Sequence, residues 1–297
     1  MMIFATGWSE GFDGPGRRFV VYLKGCNLRC RWCASPEGID RAPQMLFYPA
    51  HSAYAASACP YGAVKESALN RALCLQCLDR SCIHVAKHPA FELAGQEMSG
   101  ADLVKRAVTA RPLFGGDGGV TFTGGEPTLQ ADEVLDAIKR LKKRHIHTAV
   151  ETNAGTAEFP RFLGQVDLLI VDLKCVSPGL HREWTGADNG LILGNLLVAA
   201  ANQPELLVRV PLVAGFNDGE QEMDRIAKFL GRMARPRKEL RVQVLPFHHM
   251  GEPKYAALGV SYPMDGVPPP AESRIQALES RLTAEGVAVE PVWRTRR

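Results

Sequence analysis

Three cysteines in one short loop impose the strongest constraint on how this chain can fold. Cys26, Cys30 and Cys33 follow the spacing C-x-x-x-C-x-x-C, with Gly25 before the first and Trp32 before the last. A structural zinc ion usually binds four ligands, often as two Cys-x-x-Cys pairs. Three thiols in one loop instead favour a 4Fe–4S cluster in which one iron has no protein ligand. The alternative is a structural zinc loop whose fourth ligand lies elsewhere in the chain.

The remaining cysteines also favour metal binding over disulfide bonds. Cys59, Cys74, Cys77 and Cys82 lie close together in the sequence, and Cys175 stands alone. The N-terminal residues lack the basic and apolar regions of a signal peptide. Clustered cysteines in such a chain indicate a reducing compartment, so we expect a cytoplasmic protein. Cys175 is more typical of a core thiol than of a ligand.

Size and charge exclude several classes of protein. The chain has 297 residues, of which 46% are hydrophobic, enough for one large core with an insertion. A net charge of +3 is too small to indicate binding to nucleic acid or to a membrane surface. No apolar run approaches the roughly 18 residues of a membrane span. We therefore expect neither a nucleic-acid nor a membrane partner.

Strand and helix patterns alternate along most of the chain and predict a parallel sheet. We count six strand–helix units, against eight in a full barrel. The expected fold class is α/β, a partial (β/α)6 TIM-type barrel built from residues 1–34 and 98–297. The predicted strands lie near 19–24, 119–123, 146–151, 167–172, 206–211 and 240–245, and the predicted helices near 100–110, 130–144, 190–201, 220–233 and 271–285.

Residues 35–97 interrupt this alternation. The segment shows no regular periodicity and is rich in Ala, Pro, His and Cys. So short a segment buries little apolar surface of its own, and a bound metal can supply the missing folding free energy. We therefore expect a small insertion that metal, rather than a core, holds together.

Each predicted strand ends in a charged, amide or metal-binding residue. In barrels of this type, catalytic residues lie at the carboxyl ends of the strands. One such coincidence would mean little, but six predict a single concave site. Strand by strand, these residues are Lys24-Gly25-Cys26, Gly124-Gly125-Glu126-Pro127, Glu151-Thr152-Asn153, Asp172-Leu173-Lys174, Arg209, and Pro246-Phe247-His248-His249.

The segment Gly124-Gly125-Glu126-Pro127 allows two interpretations. It follows a strand without a G-x-G-x-x-G phosphate loop, so dinucleotide binding is not expected. The two glycines let the backbone approach a ligand closely, and Glu126 can accept a hydrogen bond from an amine. The structural alternative is a tight turn between strand and helix.

Structural alternatives also exist for the other strand-end residues. Asp172 and Lys174 lie two apart on a strand, so they either bind a zwitterionic ligand together or form a buried ion pair. Arg209 lies inside an apolar strand and therefore requires an anionic partner. Glu151 is either part of a ligand shell or an ordinary charge at a strand end. His248 is either a proton donor or a surface histidine.

A series of short motifs, present in the same order, resembles a known family. They are Gly14-Pro15-Gly16, the cysteine loop, the segment 115–127, Val171-Asp172-Leu173-Lys174, Thr185-Gly186, Arg209-Val210-Pro211-Leu212, Gly215-Phe216-Asn217-Asp218 and Leu245-Pro246-Phe247-His248. Together they resemble the glycyl radical enzyme activating enzymes of the radical SAM superfamily, the group that includes the pyruvate formate-lyase activator. The resemblance covers about 13–33 and 99–290, which is nearly everything outside the insertion.

The resemblance implies a reaction and its partners. The free iron of the cluster would chelate the methionyl amine and carboxylate of S-adenosylmethionine. The reduced cluster would cleave this molecule to methionine and a 5′-deoxyadenosyl radical, which abstracts one glycine Cα hydrogen from a partner enzyme. The partner would be a glycyl radical enzyme bound through its C-terminal glycyl loop, and a flavodoxin or ferredoxin-type protein would be the reductant.

The resemblance also assigns roles to individual residues. Cys26, Cys30 and Cys33 would ligate the cluster, with Lys174 and His248 as further candidate catalytic side chains. Around the ligand, Trp32 would lie beside the adenine, Gly124, Gly125 and Glu126 would bind the methionyl amine, and Asp172, Lys174, Arg209 and His248 would complete the shell. A monovalent cation would lie among Glu151, Thr152, Asp172 and the ligand carboxylate. A related activator has Asp at the position of Glu151.

Many activators have a ferredoxin-like iron–sulfur insert with two C-x-x-C-x-x-C-x-x-x-C-P runs, from which the segment 35–97 departs. Cys59 ends the first run, whose earlier thiol positions are Pro49, Ser52 and Ala55. The second run keeps Cys74 and Cys77, with Cys82 lying between Arg80 and His84. The last cysteine of each run ligates the other cluster. We therefore predict one auxiliary 4Fe–4S cluster on Cys59, Cys74, Cys77 and Cys82. Zinc in these thiolates, a decayed site, and His84 as a substitute ligand are the alternatives.

Two other functions remain open at this point. One is a radical SAM maturase that acts on another peptide or on a small molecule. The other is a non-catalytic iron–sulfur electron carrier or a zinc-stabilised binding protein. The strand-end residues argue against the second class, because neither protein needs Glu126, Asp172 and Lys174 to converge on an open iron.

Overall fold

The computed structural model describes residues 1–49, 57, 59–65, 68–85, 90–235 and 240–291. Of the insertion positions named above, Ser52, Ala55 and the side chain of His84 lie outside this description. The described strands, in chain order, are β1 (Met2–Glu10), β2 (Arg17–Leu23), β3 (Gln44–Phe47), β4 (Val64–Lys65), β5 (Ala68–Leu69), β6 (Phe91–Ala94), β7 (Gln96–Glu97), β8 (Gly119–Gly124), β9 (His147–Thr152), β10 (Leu168–Asp172), β11 (Leu206–Leu212), β12 (Arg241–Pro246) and β13 (Ala288–Val289).

Helices connect most of the long strands. In the described part of the chain they are α1 (Arg71–Gln76), α2 (Cys82–Val85), α3 (Gly100–Ala110), α4 (Ala131–Lys142), α5 (Pro178–Thr185), α6 (Gly190–Asn202), α7 (Glu220–Ala234), α8 (Glu252–Leu258) and α9 (Glu272–Ala284). Ser99 caps α3, because its side chain accepts a hydrogen bond from the backbone of Asp102. Among these described helices, none is both long and apolar enough to cross a bilayer.

The six predicted strands form one parallel array, which confirms the α/β fold class. The order in the nine-stranded sheet is β13-β12-β11-β10-β9-β8-β2-β1-β7. The pairs from β2 to β12 are all parallel. In register, Asp172 of β10 lies opposite Arg209 of β11, and Ile170 lies opposite Glu151 of β9. The carboxyl ends therefore bring the predicted site residues to one edge, as a partial barrel requires.

Three strands of this sheet were not predicted. β1 pairs antiparallel with β2, and β7 pairs with β1 only at Met2 and Ile3. β7 lies within the segment assigned to the insertion, yet it belongs to the main sheet. β13 extends the sheet by pairing with Arg241 and Val242. The two-residue strands β7 and β13 are too short to produce an alternating pattern, and Gly7 weakens the pattern of β1.

The core separates into an outer layer and a barrel interior. Outward residues such as Val120 and Phe122 are fully buried against the helices. Inside the barrel, a small apolar cluster of Ala149, Leu168, Ile170 and Leu207 packs in the lower half. Polar residues of the same strands lie above this cluster, toward the carboxyl ends. The polar site residues therefore lie directly above a layer of apolar side chains.

Residues 11–16, here called the plug loop, connect β1 to β2 and lie at the amino end of the barrel. The Thr121 hydroxyl donates to the carbonyl of Asp13 at 2.7 Å, and Arg209 donates to the carbonyl of Phe12. The fully buried Arg18 donates to the carbonyls of Val120 and Pro15 at 2.8 and 3.3 Å. At Gly16, with φ of +66°, a Cβ would lie 2.6 Å from the backbone nitrogen of Gly118. The glycines of this motif therefore allow the loop to fit under the sheet.

The insertion has a small core of its own. β3 and β6 form an antiparallel pair, as do β4 and β5. Their buried apolar residues are Met45, Phe47, Val64, Cys82, Ala90 and Phe91. The expectation that metal rather than a core holds this segment is therefore too simple, because cysteine side chains pack within this apolar cluster. Arg71 of α1 joins the insertion to α8 by donating to the carbonyls of Met45 and Ala257 at 2.9 and 2.6 Å.

Candidate active site at the carboxyl ends of the strands

The cysteine loop follows directly from β2 and is fixed by backbone hydrogen bonds. Gly25 and Cys26 donate their backbone N–H groups to the carbonyls of Gly38 and Ile39, both at 2.8 Å. The backbone N–H of Leu28 points at the Cys26 Sγ at 3.4 Å, and the Asn153 amide donates to the same sulfur at 3.8 Å. Donors aimed at a cysteine sulfur stabilise the thiolate form that ligates iron.

The three thiols are electrically coupled. Burial, followed by the charge of Glu126, raises the pKa of Cys26 to about 12. Burial, followed by the neighbouring Cys30, raises the pKa of Cys33 to about 12. Burial also raises the pKa of Cys30. Thiols in this state become thiolates only beside a group of high positive charge.

The cysteine loop brings three soft ligands together. Its thiols lie within electrostatic reach of one another. Soft thiolates spaced in this way suit a cluster of several irons.

The two glycines at the end of β8, Gly124 and Gly125, allow the backbone there to contact the backbone of the cysteine loop. A Cβ at Gly125 would lie 2.2 Å from the carbonyl oxygen of Gly25 and 2.8 Å from that of Gly38. The backbone N–H of Glu126 donates to the carbonyl of Gly25 at 2.7 Å. Gly124 has φ of +100°, a conformation that favours glycine. The sequence predicted a close approach to a ligand, and the structure shows a close approach to the cysteine loop itself.

Glu126 joins the ends of β8 and β9. Its Oε1 accepts from the Thr128 backbone at 3.0 Å and from the hydroxyls of Thr128 and Thr152, both at 2.6 Å. Its Oε2 accepts from the Asn153 backbone at 2.8 Å. The side chain is fully buried, and burial raises its pKa although these hydrogen bonds oppose the shift. A carboxylate has about four acceptor positions, so Oε2 retains capacity for one further donor.

Asp172 and Lys174 form a largely buried ion pair, which was the structural alternative in the sequence analysis. The Lys174 Nζ lies 2.8 Å from the Asp172 Oδ2 and 5.9 Å from the centre of the Trp32 ring. Burial alone would lower the pKa of Lys174, but Asp172 and Cys30 raise it above its ordinary value. Lys174 therefore stays positive beside the cysteine loop.

Arg209 finds its anionic partner in Glu151. The guanidinium Nη1 lies 2.5 Å from the Glu151 Oε1, and the Nε donates to the Gln243 Oε1 at 3.2 Å. The other Glu151 oxygen accepts from the Thr123 hydroxyl at 3.0 Å. Burial raises the pKa of Glu151, Arg209 opposes this shift, and Asp172 adds to it. Glu151 and Asp172 are therefore close neighbours inside the barrel.

Two predicted residues lie apart from this network. The Thr152 hydroxyl points at Glu126 rather than into the barrel, because successive side chains of a strand alternate in direction. His248 is exposed, and its Nδ1 accepts from the Met250 backbone at 3.3 Å. Cys175 is 1% exposed within an apolar cluster, as expected of a core thiol.

An aromatic wall beside the cysteine loop was not anticipated as a unit. Trp32 packs on Phe216 with ring centres 4.7 Å apart, and Trp184 stacks on Phe216 at 5.1 Å. Trp184 directly precedes the motif Thr185-Gly186, and Phe216 lies within the motif Gly215-Phe216-Asn217-Asp218. These two motifs are the sequence signal from which the rings could have been found. Arg31 covers the Trp184 ring at 4.9 Å. The wall offers flat apolar surface for a planar ligand.

A second set of thiols lies in the insertion. Cys59, Cys74, Cys77 and Cys82 line one cavity, together with Met45, Tyr61, Arg80 and Phe91 among others. The backbone N–H groups of Ala63 and Arg80 donate to the sulfurs of Cys59 and Cys77 at 3.3 and 3.4 Å. Burial and the other three thiols raise the pKa of Cys82 to about 11.

Comparison with known proteins identifies the family of this chain. The radical SAM superfamily model matches residues 20–230. The indoleacetate decarboxylase activating enzyme of Tractidigestivibacter scatoligenes is 32% identical over 306 residues, covering 96% of this chain and 95% of that protein. The choline trimethylamine-lyase activating enzyme of Oleidesulfovibrio alaskensis is 33% identical over 285 residues, covering 91% and 90%. A radical SAM methyltransferase from Sphaerobacter thermophilus shares the fold, with a TM-score of 0.53 and 15% identity over 92% of this chain and 66% of its own.

The superfamily match includes the cysteine loop and the strand ends from β8 to β11. The activating enzymes match over nearly the whole length of both partners, including the insertion. The chain therefore belongs to the radical SAM superfamily and, within it, to the glycyl radical enzyme activating enzymes.

Proposed function

We propose that this activating enzyme binds its 4Fe–4S cluster through Cys26, Cys30 and Cys33 and installs a glycyl radical on a partner enzyme. When bound, the cluster would pass one electron to the sulfonium of S-adenosylmethionine, so that its bond from sulfur to C5′ breaks and the resulting 5′-deoxyadenosyl radical takes a hydrogen atom from a glycine Cα. The observation that supports this most directly is the contact between the cysteine loop and the Gly124–Gly125 turn.

The surrounding residues supply charge and shelter. Lys174 places a buried positive charge beside the loop, where an anionic part of the ligand would be stabilised. Trp32 and Phe216 form an apolar surface for the adenine and exclude water from the radical. The remaining acceptor position of Glu126 suits the methionyl amine. His248 is exposed and accepts from the Met250 backbone, so its role at the ligand stays a prediction.

The test is anaerobic reconstitution with iron and sulfide, followed by dithionite and S-adenosylmethionine. We expect 5′-deoxyadenosine without any partner enzyme. Adding a candidate partner, such as an arylacetate decarboxylase or choline trimethylamine-lyase, should then produce a glycyl radical signal in electron paramagnetic resonance. A protein that contains the cluster but forms no deoxyadenosine would contradict the proposal.

We further infer one auxiliary 4Fe–4S cluster on Cys59, Cys74, Cys77 and Cys82. Four thiols around one cavity, with backbone N–H groups aimed at two of them, support this set. Zinc in the same four thiolates is the alternative, and metal analysis of the purified protein distinguishes the two. Leu75 and Leu78 beside these thiols are 72% and 93% exposed, a surface suited to a flavodoxin or ferredoxin-type reductant.

Replacing Cys77 tests the auxiliary site. Cys77→Ala should lower the iron content from about eight to about four atoms per chain, because the auxiliary cluster loses one of its ligands. Deoxyadenosine formation with dithionite should remain measurable, since the cysteine loop is untouched. Cys175→Ala is the matched control and should leave the iron content unchanged. Equal iron in Cys77→Ala and the unaltered protein would contradict the assignment.

A further inference from the structure

Two acidic and two basic side chains inside the barrel are paired one to one. Arg209 pairs with Glu151 at 2.5 Å, and Lys174 pairs with Asp172 at 2.8 Å. The four side chains are 5%, 18%, 9% and 24% exposed, respectively. Buried charges require partners of this kind, and this group is electrically balanced without any added ion.

The two carboxylates implied for a monovalent cation already accept hydrogen bonds from cationic side chains. Both oxygens of Glu151 accept hydrogen bonds, one from Arg209 and one from Thr123. The Thr152 hydroxyl donates to Glu126 and accepts from the Ala154 backbone, on the other face of β9. The Asp172 Oδ2 accepts from Lys174. Arg209 and Lys174 already neutralise these two carboxylates, so an alkali metal ion would add an unbalanced positive charge inside the barrel, and the residues do not fit such a site.

The length of Glu151 accounts for this difference. An aspartate at this position would end one methylene earlier, and its carboxylate would retreat by about 1.5 Å, one C–C bond. The distance from this carboxylate to the Arg209 guanidinium would then approach the longest distance at which two charged groups form an ion pair. The longer side chain of Glu151 closes this gap and brings its carboxylate onto Arg209.

Arg209 is also held in place by other groups. Its Nε donates to Gln243 of β12, and another of its nitrogens donates to the carbonyl of Phe12 in the plug loop. A guanidinium stays protonated at all physiological pH values, and its planar donors fit several acceptors at once. Arg209 therefore supplies a fixed positive charge where the resemblance implies an exchangeable one.

We propose that Arg209 is the built-in cation of this site and that the enzyme binds S-adenosylmethionine without an alkali metal ion. This inference rests on the proposed function of the barrel as the S-adenosylmethionine site. Arg209 acts as a positioning residue: its charge keeps Glu151 neutralised and leaves Asp172 to orient Lys174.

The test compares S-adenosylmethionine binding to the reconstituted enzyme in choline chloride, sodium chloride and potassium chloride at one ionic strength. The dissociation constant, from equilibrium dialysis, and the rate of deoxyadenosine formation should differ by less than about twofold among the salts. Binding that is about tenfold tighter in potassium or sodium than in choline would overturn the proposal. Absence of binding in every salt would instead overturn the proposed function of the barrel, and this inference with it.

Two variants make the test specific. Glu151→Asp should move the carboxylate away from Arg209 and leave room for an alkali metal ion. Potassium or sodium should then tighten S-adenosylmethionine binding to this variant, although neither affects binding to the unaltered protein. Arg209→Gln should weaken binding in choline and regain it in potassium or sodium, a rescue that a purely structural role would not give. Arg241→Gln, which removes a guanidinium from a surface pair with Glu205, is the matched control. If Arg209→Gln fails to fold, the Glu151→Asp variant still tests the proposal. An equal dissociation constant for S-adenosylmethionine in all three salts would then contradict it.

Discussion

A methyl group at position 125 would collide with the loop that carries the cysteines. Gly125→Ala places a Cβ 2.2 Å from the Gly25 carbonyl oxygen, where neither backbone can retreat without breaking hydrogen bonds. We expect loss of most of the iron bound by this loop and a midpoint of thermal unfolding several degrees lower. Gly116→Ala is the control, because its Cβ would meet nothing within 4 Å. Normal iron content in Gly125→Ala would show that the contact is not needed.

Replacing Cys30 tests whether this residue is a ligand of the cluster. Cys30→Ala leaves only two thiols in the loop, so we expect no deoxyadenosine and loss of about four iron atoms per chain. Cys175→Ala removes a buried thiol outside the loop and should retain turnover, with at most a loss of stability. Iron analysis and chromatographic assay of deoxyadenosine distinguish the two. Turnover by Cys30→Ala would contradict the ligand assignment.

Residue identity was easier to predict from the sequence than side-chain direction. The cysteine spacing and the polar strand ends identify Cys26, Glu126 and Lys174 as members of one site. The hydrogen-bond partners of Glu126 and the turn of His248 toward Met250 could not be predicted, because they depend on neighbours brought together only by folding. The Arg209–Glu151 pair spans two strands in the same way.

At the scale of elements, the carboxylate of Asp167 connects α4, β9 and β10. The Asp167 Oδ2 accepts from the backbone and hydroxyl of Thr148, both at 2.8 Å, and Lys142 lies 3.2 Å from the other oxygen. Burial alone would raise the pKa of Asp167, but these contacts lower it below its ordinary value. The ionised form therefore stabilises the fold above the pKa of the unfolded chain, near 4.

Asp167→Asn should consequently lower the free energy of unfolding by about 1 kcal/mol at neutral pH. The difference should shrink as the pH falls through the lowered pKa of Asp167, since the protonated acid then resembles the amide. Urea unfolding of the cluster-free protein at several pH values measures this trend. Asp132→Asn, an exposed member of a surface pair, should have little effect. A difference that grows on acidification would contradict this account.

Long elements followed the sequence pattern more closely than short ones. The strands β8 to β12 and the helices α4 and α7 lie within a few residues of their predicted bounds, because each repeats its apolar pattern over several turns or pleats. The helices α5 and α8 are too short to repeat such a pattern, and each begins with proline at one of its first positions. Local signals of this kind do not distinguish a short helix from a turn.

At the scale of the whole molecule, Arg71 is a direct link between the insertion and the barrel. Arg71→Ala removes the donors to Met45 and Ala257, so we expect a loss of about 1–3 kcal/mol in the free energy of unfolding and faster hydrogen exchange in α8 and β3. Deoxyadenosine formation with dithionite should be retained. Lys65→Ala, an exposed change within the insertion, should leave the exchange rates of α8 unchanged. Equal exchange in both variants would show that other contacts suffice.

The arrangement of the insertion was the least predictable part of the chain. Its cysteines were recognisable from spacing, but the short strands described in it, β3 to β6, follow no periodic pattern. Their pairing depends on residues far apart, such as Phe47 with Phe91. The link from Arg71 to Ala257 joins positions separated by 186 residues, and nothing in the local sequence of either indicates the other.

The plug loop has a consequence for the order of events in a turnover. Its carbonyls accept hydrogen bonds from Arg209, Thr121 and Arg18, so these side chains hold the loop against the amino end of the barrel. Under the proposed function, S-adenosylmethionine would reach the site from the opposite end, where the strands carry the cysteine loop. A partner that docks over this end would require the small molecule to bind first and the products to leave after it. We therefore expect an excess of partner to slow the exchange of products for fresh S-adenosylmethionine.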